Sequence, residues 1–373
     1  MIRTVQIQSK KELAAFIDFP HDLYANDANY VPELFIAQRD MLSPSAHPFH
    51  KHGKIKLFLA YQDDKIVGRI AAILNKRHNE FNNSNDGFFG FFDCINNIEV
   101  AQSLINEVHN WLNQNRIQTV IGPVNFSTNE TCGLLIDGFD TPPVAMMTYN
   151  KPYYSTLLEE LGYKKKVDLY AYQILAEDFN DRPLQLLATL TKRLAQKNII
   201  IRKINLKNFE QEVASLLEVY NNAWDKNLGF VPMTKEEFEY LAKDLKLILD
   251  PDFCVVAEHN GKVVGFSLSI PNINQVLIKI RRGRLLPTGI IKLLLLRKKI
   301  KSIRVIALGV LEGYRKLGIE AVFYGDVIKK SQQKNIQTAE ASWILENNTL
   351  MNRAIQQING KVYKTYRIYD RQL

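Results

Sequence analysis

Three cysteines, Cys94, Cys132 and Cys254, are all that this chain of 373 residues contains. Their wide spacing forms no C-x-x-C pattern, and an odd number argues against a disulfide framework. Cys254 falls in an apolar strand-like run and reads as core. Long apolar runs are missing too. The nearest to spanning length, 285–296, is broken by Pro287 and Lys292. The stretch MIRTVQIQSKKELAAF is charged and has no apolar segment, so no secretory leader is expected and the cytoplasm is the expected compartment. His47, His50 and His52 cluster among Pro, Lys and Gly with no acidic or cysteine partner nearby, and read as a solvated loop rather than a metal site. No nucleic-acid recognition motif and no interleaved aromatics accompany the basic residues, which leaves nucleic acid the weakest class of partner.

What is present is the composition of an ordinary globular protein, 46% hydrophobic and 23% charged, in a chain long enough for two domains. The net charge of +9 is unevenly spread. Between Val276 and Lys316 stand twelve basic residues against one acid, Glu312. That excess should attract phosphates, an acidic carrier protein or an anionic surface.

The chain repeats itself. KLFLAYQDDKIVGRIAAILN (56–75) and FCVVAEHNGKVVGFSLSIPN (253–272) both read as β-hairpins, with Asp63 and Asp64 at the turn of the first. Ala60, Lys65, Val67 and Gly68 match Ala257, Lys262, Val264 and Gly265 at an offset of 197. Further on, LEELGYKKKVDLYAY (158–172) matches IQQINGKVYKTYRIY (355–369) at an offset of 198. Two matches holding nearly one offset argue for a tandem duplication, with domains at 1–175 and 176–373. The first fifty residues read as a loop-and-short-helix arm. Helices are expected at 99–115, 154–161, 209–224, 234–249, 319–334 and 349–358. Strands are expected at 87–93, 119–124, 199–204, 305–310 and 336–343, in a mixed α/β layout with a central sheet and flanking helices.

One strand–turn–helix organises the second half. Val305 to Val310 is apolar and β-branched enough for a buried strand. Arg315, Gly318 and Ile319 then open a helix whose apolar positions Ile319, Val322, Phe323 and Val327 recur at helical spacing. Unpaired amides and the helix dipole make such an N-terminus an anion site, and glycine allows close approach to the main chain. The spacing V-x4-R-x2-G-I resembles motif A of the GNAT acyltransferase superfamily, and the element order resembles that family across the second half. The resemblance implies tandem GNAT-like domains, an acyl-CoA donor such as acetyl-CoA, a pyrophosphate held by Arg315, Lys316, Gly318 and Ile319, and pantetheine and oxyanion contacts from the Leu308–Val310 backbone. The chain departs from the family pattern in two ways. Glu320 stands where Gly or Ala is usual, and Ile355 and Gln356 stand where a thiolate-protonating Tyr is frequent before Gly360. The first half has CINNIEV (94–100) where the motif would fall, and reads as a degenerate copy.

Acyl transfer needs a base for the acceptor, an oxyanion donor and an acid for the leaving thiolate. Glu340 and Glu346 are candidate bases, and alternation places Glu340 and Ser342 on one strand face. Each has a bland reading, Glu340 as a solvated strand carboxylate and Glu346 as part of a helix start. Tyr324 is a candidate acid or a packing residue. In the first half Asn125, Ser127, Asn129, Glu130 and Tyr149 fit a substrate-contacting loop or a loop that satisfies its own backbone. The insertion 276–304 fits a membrane surface, an acidic acyl carrier protein, or a helix hairpin with its apolar face on the domain. The expected activity is acyl transfer, acetyl first, from acyl-CoA to a small-molecule amine. Long-chain acyl transfer from coenzyme A or acyl carrier protein, and a non-catalytic acyl-CoA-binding scaffold, are the alternatives. The first half would help form the acceptor pocket.

Overall fold

The structure is a computed structural model that describes residues 1–178, 182–223 and 229–373. It opens with strand β1 (Ile2–Gln6), helices α1 (Lys10–Leu23) and α2 (Phe35–Met41), and the hairpin β2 (Gly53–Gln62) and β3 (Lys65–Asn75). Helix α3 (Lys76–Asn82), strand β4 (Asp86–Cys94), helix α4 (Ile98–Gln114) and strand β5 (Thr119–Gly122) follow. Three short strands come next, β6 (Val124–Asn125), β7 (Thr131–Cys132) and β8 (Leu134–Asp137), then α5 (Tyr154–Glu160) and β9 (Lys164–Leu175).

The second half runs α6 (Arg182–Ala195), β10 (Ile199–Lys203), α7 (Phe209–Ala223), α8 (Lys235–Ile248), β11 (Cys254–His259) and β12 (Lys262–Pro271). Trp224, the expected last residue of α7, lies outside the described residues. The basic insertion holds α9 (Asn274–Leu277) and α10 (Gly289–Leu296). Strand β13 (Ser302–Val310), helix α11 (Ile319–Gln333), strand β14 (Thr338–Leu345), helix α12 (Thr349–Gln356) and strand β15 (Lys361–Gln372) complete the chain.

These elements form two compact units that interleave along the chain. Unit 1 comprises Met1–Tyr170, Asn274–Lys298 and Lys364–Leu373; unit 2 comprises Ala171–Ile273 and Lys299–Tyr363. In unit 1 the sheet runs β1-β2-β3-β4-β5, with β4 and β5 parallel and the rest antiparallel, and residues 369–372 of β15 pair antiparallel with β5. Its core forms where Val100, Leu104, Ile105, Val108 and Leu112 of α4 cover Phe58, Ile70, Ala72, Phe89 and Val120. In unit 2 the sheet runs β10-β11-β12-β13-β14, the last pair parallel. Ile319, Val322 and Phe323 of α11 and Leu194 of α6 pack on Val255, Ala257, Val264 and Val310. Leu216 and Val219 of α7 cover the other face: Val256 by alternation with Val255 and Ala257, and Phe266 because the bulge at Val264 shifts the alternation of β12.

Both units open with the same three-strand register. Ile2 pairs Gln62 in one and Ile199 pairs His259 in the other, both at the offset of the sequence repeat. Ala60 pairs Gly68 and Ala257 pairs Gly265, each beside a bulge at the following residue. The turns are left-handed, at Asp63 and Asp64 and at Asn260 and Gly261.

The first fifty residues hold the helices of the expected arm, and are more ordered than that reading in carrying β1 and a 14-residue α1. Ser9 and Glu12 form a capping box that starts α1, whose Phe16 and Ile17 are buried. The solvated-histidine reading fails. His47 is buried, its Nδ1 accepts the Phe49 amide at 3.3 Å, and its Nε2 lies 3.3 Å from Glu130. Phe49 stacks on Phe126 with ring centroids 4.6 Å apart, which supplies apolar surface the sequence pattern concealed. Among the described residues, no group of three or more His, Cys, Asp or Glu is arranged to hold a metal ion. All three cysteines are buried, and none is in a disulfide.

Candidate active site

On one edge β13 pairs with β12 from Pro271↔Ile303 to Gly265↔Val310, with Ile306 as an extra residue in the register. On the other edge β13 runs parallel to β14 only from Ser302↔Thr338 to Val305↔Ala341. The bulge therefore lies immediately beyond the last parallel pair. A bulge bends its strand and increases the local twist, which is what separates the two strands here. The Leu311 amide donates to the Val264 carbonyl at 2.9 Å. Alternation along the strand then turns the Gly309 amide toward β12 and those of Leu308 and Val310 toward the edge β14 has left.

The chain next turns into α11. Gly318 is its N-cap, with φ of 95°, and no side chain caps the helix. The first-turn amides of α11 have no acceptor within the helix, so donors and dipole converge on one point. Lys316, also left-handed at φ 68°, and Ile319 flank that point; Lys316 is exposed and Ile319 buried. Arg315 does something other than reach outward. Its Nε donates to the Val310 carbonyl at 3.1 Å and Nη2 to the Ala223 carbonyl at 3.2 Å. Through these bonds it braces the strand end. Glu320 sits half-buried in the first turn of α11.

Unit 1 contains the same parting and closes it with its own chain. Strands β4 and β5 pair from Asp86↔Thr119 to Phe88↔Ile121. Beyond that point Asn125 Oδ1 accepts the Phe91 amide at 2.9 Å, and a side chain at Gly90 would overlap the Val124 carbonyl. The helix that follows is sealed as well: Asn97 Oδ1 accepts the amides of Glu99 at 2.8 Å and Val100 at 3.3 Å. The open strand edge and uncapped helix of unit 2 are thus filled in unit 1 by two asparagines.

The carboxylate nearest the parting in unit 2 is Glu340. It faces Arg304 across β13 and β14, one pair before the end of the register. Both are buried at 2% exposure, so the solvated-strand reading of Glu340 is corrected. The Tyr363 hydroxyl donates to Glu340 Oε2. Arg304 Nε donates to Ser342 Oγ at 3.1 Å, and its guanidinium lies 4.8 Å from the Trp343 ring centre. A buried carboxylate oriented by a phenol at the end of a strand register has the chemistry to take a proton from an acceptor. Arg304 and Tyr363 were not singled out from the sequence; the only signal was an arginine at the head of an apolar strand. Glu346 is elsewhere, half-buried past the end of β14, where its carbonyl accepts from Asn352 at 3.3 Å. Tyr324, on α11, donates its hydroxyl to Met351 Sδ at 3.4 Å. Burial, with the Glu320 charge second, pushes its pKa to about 12, so it keeps its proton at neutral pH.

The first-half candidates divide. Asn125 clamps Phe91 and donates to Thr131 Oγ1 at 2.7 Å, and Ser127 Oγ accepts the Asn129 amide at 3.2 Å. Glu130 pairs with His47. These four hold their own loop. Tyr149 instead joins a second cluster, donating to Asp27 Oδ1 at 3.0 Å while Lys151 reaches Asp27 Oδ2 at 3.0 Å. Burial pushes the Asp27 carboxyl up, but the hydrogen bonds from Lys151, the Asn29 amide and Tyr149, with the Lys151 charge, outweigh it and hold the group below its ordinary value.

No family model matches the chain. It is 35% identical to protein YghO of Escherichia coli (strain K12) over 98% of this chain and 94% of that protein. It is 33% identical to the bacterial ceramide synthase of Caulobacter vibrioides (strain NA1000 / CB15N) over 100% of this chain and 98% of that protein. Among solved structures it matches a tandem GNAT protein from the clavulanic acid biosynthesis pathway with a TM-score of 0.57 and 9% identity, over 100% of this chain and 98% of that one. It matches a GCN5-related N-acetyltransferase from Sphaerobacter thermophilus with a TM-score of 0.51 and 13% identity, over 100% of this chain and 95% of that one. These likenesses carry the fold, and the full-length identities carry the family. The chain belongs to the family of protein YghO and the bacterial ceramide synthase, and it has the tandem GNAT fold.

Proposed function

We propose that the protein transfers an acyl group from an acyl-CoA to an amine at the parting of β13 and β14. The observation that carries this reading is the end of the parallel register at Val305↔Ala341, followed by the uncapped helix at Gly318. Leu308 and Val310 would offer main-chain groups to the pantetheine arm and the developing oxyanion. The α11 amides and Lys316 would hold the pyrophosphate. Glu340 would take the acceptor's proton, positioned by Tyr363, and Tyr324 is the candidate acid for the thiolate. Arg315 would act by bracing the cradle.

The full-length likeness to a bacterial ceramide synthase favours a long-chain donor and a long-chain amino alcohol as acceptor, since a ceramide is the amide of such an amine. Acetyl transfer to a small amine is the alternative. The two separate when acyl-CoAs from acetyl to palmitoyl are offered with sphinganine and with short amines, reading free thiol release and amide mass. Long-chain amide formation supports the proposal, and turnover with acetyl-CoA and short amines alone replaces it with the alternative. Absence of thiol release with every pair would leave a binding scaffold.

A further inference from the structure

The insertion between β12 and β13 does not turn its apolar face to the domain. Leu286, Ile290, Ile291, Leu294 and Leu295 are 77%, 42%, 55%, 58% and 68% exposed. These are five of the fifteen large hydrophobic residues exposed among the described residues, within a ten-residue stretch. An aliphatic patch of this density needs an occupant.

The segment is held to unit 1 by only part of its charge. Arg282 is paired with Asp22, and its guanidinium lies 3.7 Å from Asp18; Arg284 donates to Asp18 at 2.8 Å and lies over the Phe35 ring at 3.4 Å. Gly283, left-handed at φ 60°, lies so close to the Glu33 carbonyl that a Cβ would overlap it. Arg281, Lys292, Arg297 and Lys298 stay exposed around the aliphatic residues. No Asp or Glu occurs between residues 274 and 298.

We propose that α10 and its flanks seat the protein on the surface of an anionic lipid bilayer. The aliphatic residues would enter the acyl boundary and the cations would meet the headgroup charge. Charge complementarity and side-chain type both favour this occupant. Protein interfaces are enriched in aromatic anchors with polar rims, whereas this patch offers only Leu and Ile among cations. No described helix is long and apolar enough to cross a membrane, so the contact is interfacial. At about 1.5 Å per residue, the eight residues of α10 span about 12 Å, enough to lie in the boundary and too short to span it.

The test is flotation of the full chain with vesicles of phosphatidylcholine alone and of phosphatidylcholine with phosphatidylglycerol. The protein should float with the anionic vesicles, less so as salt rises. Leu294→Asp with Leu295→Asp should lower the bound fraction about tenfold or more on the same vesicles, with the melting temperature unchanged. Arg297→Glu with Lys298→Glu should lower it about tenfold and remove the salt dependence. No flotation with either vesicle overturns the proposal, as does equal flotation of the leucine variants. Capture of an acidic acyl carrier protein without vesicle binding would reassign the surface to that partner. Self-association in sedimentation velocity without vesicle binding, lost in the leucine variants, would reassign it to a second copy of the chain.

Discussion

Arg304 and Glu340 face one another across the parallel strands of unit 2, one pair before those strands part. Ionisable groups at that depth are costly to desolvate and are stabilised by their hydrogen bonds, here Arg304 to Ser342 and Tyr363 to Glu340. Its position, at the last closed step before an open edge, is what connects it with chemistry.

Glu340→Gln keeps the shape and removes the base. Turnover should fall about 100-fold or more, while donor affinity measured by calorimetry stays within a factor of about two. Tyr363→Phe should cost less, because it loses the orienting hydrogen bond and leaves the carboxylate. A purely structural role would show the reverse pattern, a lowered melting temperature with a proportionate, small change in rate.

Gly318→Ala tests the helix N-terminus. At φ 95° an L side chain is strained by about 1–2 kcal/mol, and the new Cβ would stand 3.2 Å from Leu190 Cδ2. The amides of α11 should rotate away from their common focus. Acyl-CoA affinity should drop about tenfold or more, with helix content preserved by circular dichroism. Affinity equal to that of the parent would show that the pyrophosphate is not held there.

The two hairpins were legible because Asp63-Asp64 and Asn260-Gly261 are turn pairs between alternating apolar runs. The duplication was legible because its offset survives in the strand registers themselves. Helix α1 was not, because Pro20 and the residues after it suggest a loop, while the Ser9–Glu12 box that starts the helix is a short signal. The pairing of Arg304 with Glu340 depends on a parallel register between segments 36 positions apart, which no local pattern encodes. One of the three readings of the insertion, the hairpin with its apolar face on the domain, fails for a simpler reason. Amphipathic helices usually bury their apolar face, and α10 is apolar nearly all round with that face left exposed.

Stability should depend on pH through two histidines of unit 1, the buried His21 and the half-buried His109. Burial, reinforced by Arg282, Arg69 and Arg284 and opposed by Asp22, lowers His21 from 6.5 to about 4. Burial and then Arg371 lower His109 to about 4. A histidine lowered on folding binds its proton more readily in the unfolded chain. Stability is therefore complete above about pH 6.5 and lost as pH falls toward 4, at no more than about 1.4 kcal/mol per pH unit for each group. Denaturant melts at pH 7 and 5 should show the loss, and His21→Gln or His109→Gln should each flatten the slope. A parent profile that is flat over this interval would remove the assignment.

Gly283→Ala addresses how the insertion is fastened. Its left-handed φ of 60° disfavours any Cβ, and the added methyl would overlap the Glu33 carbonyl, a backbone atom that cannot swing aside. Either the 274–298 segment or the loop at Glu33 must move, at a cost of about 2 kcal/mol or more. The ion pairs of Arg282 and Arg284 with Asp22 and Asp18 span the same contact and should weaken with it. Limited trypsin digestion reads this directly, because Arg281, Arg284, Lys292, Arg297 and Lys298 are already exposed as side chains and are protected by a backbone held in place. Cleavage between 281 and 298 should quicken about tenfold or more, while sites in α6 and α11 are cut at the parent rate. Arg282→Ala with Arg284→Ala should move cleavage the same way by a smaller factor, since half-exposed ion pairs contribute less than a backbone clash. Digestion at the parent rate in both variants would mean that the apolar contacts of Val276 and Ile280, both buried, hold the segment without either device.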